Sequence, residues 1–171
     1  MSGDHLNVPT ELVAPDFLVG SKVLPEKFLD EAHFFSYEVL YYNGEVVEMW
    51  PWDNREDAVK NVIEAWQKER IIMDEKIRSK DPSMTSDMRK NIGLLFMLLF
   101  WSNRQPVVLK GWEEALQSLS IKPFNVVERV SFIRENPKLY HSYIQLCELF
   151  QEQQKRLAKD LAIDKMKKEI K

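Results

Sequence analysis

"GLLFMLLFWSNRQPVVL", residues 93–109, places nine apolar or small residues in succession and then turns into Ser102, Asn103, Arg104, Gln105 and Pro106. A bilayer-spanning helix needs about 20 largely apolar residues. The run from Gly93 to Trp101 has nine, with Arg89 and Lys90 before it and Arg104 after it, so it is no membrane anchor. A helix apolar on every side in a soluble chain is one that other helices surround, which predicts a central position. Thr85 or Ser86 is placed to cap its start, and Asn103 followed by Pro106 to end it.

On the amino-terminal side, Asp53 or Asn54 suits the cap of a preceding helix with Glu56 and Asp57 in its first turn. Val59, Val62, Ile63, Trp66, Met73 and Ile77 form its apolar face, and Asp81-Pro82 ends it. Further upstream, Pro25 and Glu26 fit a helix start, and Phe28, Ala32, Phe35, Val39 and Tyr42 recur at helical spacing up to Asn43-Gly44. The same Asn-Gly pair, flanked by "SYEVLYY" and "EVVEMW", is also a strong hairpin signal. Residues 37–50 therefore form a helix end or a hairpin, the longer run of matched positions favouring the helix.

Downstream, a short helix from Trp112 to Leu119 follows Gly111, and Pro123 and Asn125 introduce another carrying Val126, Val127, Val130 and Ile133. Asn136-Pro137 separates it from a long last helix striped by Tyr140, Tyr143, Cys147, Phe150, Gln154, Leu157 and Leu161. The expected fold is all-α: a single compact helical domain of five to seven helices with a long C-terminal helix. Residues 1–23 read as an extended arm, 24–162 as the helical domain and 163–171 as a lysine-rich helix end that frays or meets a partner.

The length of 171 residues and 44% hydrophobic content suit one sizeable core, and a net charge of −3 argues against a wholly basic binding surface. The first 18 residues lack the basic and apolar regions of a secretory signal, so no export is expected. One cysteine, Cys147, fits a reducing compartment, and a cytoplasmic location is expected.

The stretch 101–155, with "NRQPV" after the hydrophobic helix, "KPFNVVERVSFI" and "NPKLYHSYIQLCELF", resembles the YpoC-like proteins of Bacillus-type bacteria. The resemblance implies a cytoplasmic bacterial protein whose genes tend to neighbour DNA replication and repair genes. It supplies no catalytic residue.

Side-chain chemistry points the same way. His33 near Glu31 and Glu38, and His141 seven residues from Glu148, match no helical metal motif, and His5 lies in the arm. There is no Gly-x-Ser-x-Gly motif, Cys147 has no basic neighbour, and five glycines fall in no phosphate-binding pattern. Glu113 and Glu114 are adjacent on a helix and point apart. No catalytic residue, metal or cofactor is called for.

Two binding signals remain. Trp50, Trp52, Trp101 and Trp112 fall at helix boundaries, and Asn103, Arg104 and Gln105 stand beside them, an interface-like set with Arg104 placed to reach a carboxylate in the fold or on a partner. Lys155, Arg156, Lys159, Lys165, Lys167, Lys168 and Lys171 outnumber Asp160, Asp164 and Glu169 in the tail. The first set predicts a non-enzymatic module that binds another protein. The second predicts an accessory nucleic-acid binder linked to replication or repair, and a third class is an enzyme assembling carboxylates and histidine from distant helices.

Overall fold

The computed structural model describes residues 6–14, 16–17, 23–30 and 33–170. These residues form an all-α fold of six helices: α1 (Ser36–Tyr42), α2 (Arg55–Ser79), α3 (Met84–Ser102), α4 (Trp112–Gln117), α5 (Val126–Glu135) and α6 (Tyr140–Ile170). Three short 3-10 turns, Thr10–Leu12, Pro25–Lys27 and Pro51–Asp53, join them, and there is no strand among the described residues.

The apolar run of α3 is the centre of the molecule. Every residue from Asn91 to Ser102 is buried, and α2 and α6 both pack along it. The hairpin between α2 and α3 turns at Lys80, which adopts the left-handed conformation, and Lys76–Asp87 and Lys90–Glu69 pairs, each at 2.6 Å, cross between the two helices. Helix α6 lies antiparallel to α2. Tyr143 donates to Asp74, Phe150 stacks on Trp66 with ring centroids 4.0 Å apart, and Asp160 meets Arg55 at 2.7 Å.

Helix α3 starts at Met84 after Ser83, slightly before the expected cap at Thr85 or Ser86. Asp81 organises this turn by accepting from the Ser83 amide at 2.9 Å and hydroxyl at 2.8 Å. Its other end closes as a Schellman motif: the Arg104 amide donates to the Trp101 carbonyl and the Gln105 amide to that of Phe100, both at 3.1 Å. Arg104, at φ 59°, occupies the left-handed position that glycine usually takes.

The same motif decides the Asn43-Gly44 question. The Gly44 amide donates to the Tyr41 carbonyl at 3.1 Å and the Glu45 amide to that of Leu40 at 3.0 Å, with Gly44 at φ +79°. Residues 37–50 hold a helix end followed by an irregular segment, not a hairpin. The helix expected from Pro25 is not continuous, however. A 3-10 turn covers Pro25–Lys27 and α1 begins only at Ser36, because Phe35 breaks the helix at φ 63°. The break lets adjacent Phe34 and Phe35 both enter the core, Phe34 lying over the bare backbone of Gly93, where a Cβ would come within 2.8 Å of its ring.

The described part of the first 23 residues packs on the body. Leu12 is buried, the Glu11 carbonyl accepts from the amides of Leu109 and Lys110, and Asp16 pairs with Arg134. At the other end α6 is helical to Ile170, through the segment expected to fray or meet a partner. Within this segment Asp164 meets Arg55 at 2.8 Å and Arg104 at 2.9 Å. No helix among the described residues is long and apolar enough to cross a membrane.

Candidate functional site

The connection from α1 to α2 gathers aromatic side chains. Trp50 and Trp52 bracket Pro51, which starts a 3-10 turn, and this turn brings their indoles into a near-parallel stack with centroids 5.0 Å apart. Tyr41, from the last turn of α1, stands edge-on to both at 5.4 and 5.3 Å. Trp52 is buried and Trp50 half-buried, so the stack has an inner and an outer member. Beside the outer one Tyr41 is 43% and Met49 57% exposed, and Val46, earlier on the same connection, is 89% exposed.

Beside Trp50 opens a cleft of about 200 Å³. Phe28, Tyr37, Met49 and Trp50 line one part of it and Asn54, just before α2, with Asp57 and Asn61 on the first turns of that helix, another. Phe28 also leans on Trp101, with centroids 5.4 Å apart, and meets Tyr37 edge-on at 5.8 Å. Burial, with the charges of Glu26 and Glu38 adding to it, pushes the Tyr37 hydroxyl above its ordinary pKa.

Trp101 itself belongs to the core. It has no exposed surface, and its indole Nε1–H donates to Glu38 Oε2 at 2.7 Å, the same oxygen that accepts from the Val107 amide at 3.0 Å. Burial pushes the fully enclosed Glu38 carboxyl up to about 7, against the lowering effect of these two hydrogen bonds. Its Oε1 has no hydrogen-bond partner among the described residues.

The other candidates of the turn after α3 divide in the same manner. Asn103 clamps the chain, donating to the carbonyls of Leu99 and Ile121 and accepting from the Ile121 amide, all at 2.7 Å. Arg104 is exposed and reaches a carboxylate within the fold, Asp164, while Gln105 is exposed with no side-chain hydrogen bond among the described residues. Trp112 is half-buried under the Arg134 guanidinium, 4.8 Å from its ring centroid. Of the sequence-derived set, the structure brings Trp50 and Trp52 together and leaves Trp101, Asn103 and Trp112 as parts of the fold.

Within the basic tail, Arg156 pairs with Glu152 at 3.4 Å and Lys165 with Glu56 at 3.3 Å. Lys155, Lys159, Lys167 and Lys168 are exposed and have no ion-pair partner among the described residues. Lys171, His5 and Glu31 lie outside the described residues. His141 meets Phe132 edge-on at 5.6 Å, burial pushes the Cys147 thiol up, and among the described residues no group of His, Cys, Asp and Glu is placed to hold a metal ion.

The family model for the YpoC-like protein matches residues 56–165, from the first turn of α2 to the last turns of α6. This chain belongs to the YpoC-like family. Among its relatives, an uncharacterized protein YpoC from Bacillus subtilis (strain 168) is 32% identical over 117 residues, covering 67% of this chain and 71% of the relative. No solved structure matches the chain. The matched region contains the α2, α3 and α6 packing and the Arg55-facing carboxylates Asp160 and Asp164, while Tyr41, Met49 and Trp50 precede it. The family frame is thus the helical body, and the aromatic junction is attached to its edge.

Tyr41, Phe28, Tyr37 and Asp57 were not singled out in the sequence as site residues. One signal was present there: residues 28–54 carry six aspartates and glutamates and no lysine or arginine. Glu38 also stands on the apolar face of its helix, three residues after Phe35 and four before Tyr42, a position that foretells a buried acid.

Proposed function

We propose that this member of the YpoC-like family is a non-enzymatic protein-interaction module that engages its partner through the junction of α1 and α2. Exposed Tyr41 and Met49 beside half-buried Trp50, with Val46 exposed on the same connection, carry this reading. Exposed apolar side chains gathered on a surface mark interaction sites on soluble proteins, and aromatic side chains combine large contact area with little rotamer entropy to lose. Trp50 is already immobilised by its stack on Trp52, so binding there needs little further ordering.

Site-specific photo-crosslinking tests it. A photoreactive residue at Val46 or Met49, expressed in the native organism, is expected to yield one discrete protein adduct. The same residue at Ile71, which is 70% exposed on the middle of α2, is expected to yield none. Equal labelling from all three positions, or none from Val46 and Met49, refutes the reading.

The inward turn of Asp160 and Asp164 toward Arg55 supports a second reading, in which Lys155, Lys159, Lys167 and Lys168 bind nucleic acid. Phosphate contacts of that kind weaken steeply with salt. Oligonucleotide binding that is absent at low salt, or insensitive to salt, removes it.

A further inference from the structure

We propose that the cleft formed by Phe28, Tyr37, Trp50 and Asp57 receives a lysine or arginine side chain of the partner protein, with the cation against the aromatic rings and paired to the Asp57 carboxylate. The proposal rests on the junction reading above and names the chemistry of the segment that binds there.

The fold already contains a site built this way. Arg134 lies with its guanidinium carbon 5.2 Å from the Phe17 ring centroid, 5.6 Å from that of Phe96 and 4.8 Å from that of Trp112. Its Nε donates to Asp16 at 2.6 Å. Three aromatic side chains and one carboxylate thus hold one cation, by the attraction of a positive charge to ring faces together with a charge-assisted hydrogen bond.

The cleft offers the same set on the surface. Phe28, Tyr37 and Trp50 are the three aromatic groups, Asp57 is the carboxylate, and no lysine or arginine lines the cleft. Among the described residues the Asp57 carboxylate accepts only from Asn54 Nδ2, at 3.3 Å, which leaves it lone pairs for a cation. The surroundings favour positive charge, because no lysine or arginine occurs in 28–54. Of the two that bound this segment, Arg55 is buried and directed at Asp160, Asp164 and the Ser102 carbonyl, and Lys27 is exposed on the 3-10 turn. A volume of about 200 Å³ admits one long side chain and no folded element. An acidic segment would meet Glu26 and Asp57 with like charge, and a purely aliphatic one would leave Asp57 without a partner.

The Trp50 indole N–H resonance, identified by its loss in Trp50→Phe, reads the site directly. Titration of the full chain with N-acetyl-arginine amide or N-acetyl-lysine amide is expected to shift it saturably, and N-acetyl-norleucine amide, of similar length and uncharged, is expected not to. Asp57→Asn keeps an oxygen for Asn54 and is expected to weaken the cation about threefold or more, in the range of an exposed ion pair, with its melting temperature checked alongside. Equal shifts from norleucine amide, no shift from either cation, or an Asp57→Asn variant that binds both cations as tightly as the original overturns the proposal. A response to tetramethylammonium without one to arginine or lysine amide assigns the cleft to a small quaternary ammonium compound and overturns the side-chain assignment. Photo-crosslinking from Met49 that persists while the cation titration fails leaves the junction surface standing and this inference refuted. Saturable cation binding with no crosslinked protein refutes the junction reading instead.

Discussion

Trp101 and Glu38 meet inside the core, the indole Nε1–H donating to the carboxyl at 2.7 Å, and the enclosure of that carboxyl makes stability depend on pH. Burial raises Glu38 from its ordinary 4.5 to about 7. Between those values the folded chain holds a proton that the unfolded chain has released. The stabilisation is therefore complete below about pH 4.5, declines as pH rises through about 7, and is flat beyond, with a total on the order of 3 kcal/mol. Glu38→Gln retains an oxygen for the Trp101 and Val107 donors and does not titrate. Urea melts at pH 5 and pH 8 are expected to show a larger loss for the original chain than for Glu38→Gln. Parallel losses in the two proteins contradict a raised Glu38.

Arg55 and Arg104 share Asp164 but differ in exposure: their side chains are 8% and 60% accessible. Arg55→Met deprives Asp160, Asp164 and the Ser102 carbonyl of a buried donor and is expected to cost about 2–4 kcal/mol in chemical denaturation. Arg104→Ala, which removes only an exposed pair, is expected to stay within about 1 kcal/mol. Deleting residues 163–171 removes Asp164 and is expected to lower the melting temperature. An unchanged melting temperature would mean that the end of α6 is not anchored.

Gly93 and Phe34 test whether α3 is packed on every side. Gly93→Ala improves helix propensity by about 1 kcal/mol, yet its methyl would press on the Phe34 ring, an overpacking worth about 1–3 kcal/mol. A net loss of stability is expected, and a stabilised variant would show that Phe34 yields freely. Leu95→Asp, at a fully enclosed position of the same helix, is expected to abolish soluble expression.

The helical order of the chain was readable from residues 55–161 because α2, α3, α5 and most of α6 carry apolar patterns that packing satisfies. The Asn43-Gly44 ending was readable once the preceding stripe was weighed. Phe35 misled the same stripe: it fits the helical period and yet sits at φ 63°, since long-range packing of Phe34 on Gly93 overrides local propensity. The site was partly legible in Trp50 and Trp52, whose connecting position is a sequence property. Trp101 looked equivalent in sequence and is instead enclosed at the end of α3, bonded to Glu38, 63 residues away. Arg104 was expected to find a carboxylate, but that its partner is Asp164 depends on the antiparallel course of α6, which no local pattern encodes.

The most direct measurement pairs stability and partner capture on Met49→Lys. Met49 is 57% exposed at the edge of the Trp50 cleft, so a lysine there keeps its hydration, leaves the core untouched and repels a cationic partner side chain. With the photoreactive residue at Val46, the variant is expected to lose the discrete crosslinked adduct while its melting temperature stays within about 2 °C of the original, as for a surface substitution. Undiminished crosslinking, or a melting temperature that falls together with it, contradicts a recognition surface at the junction of α1 and α2.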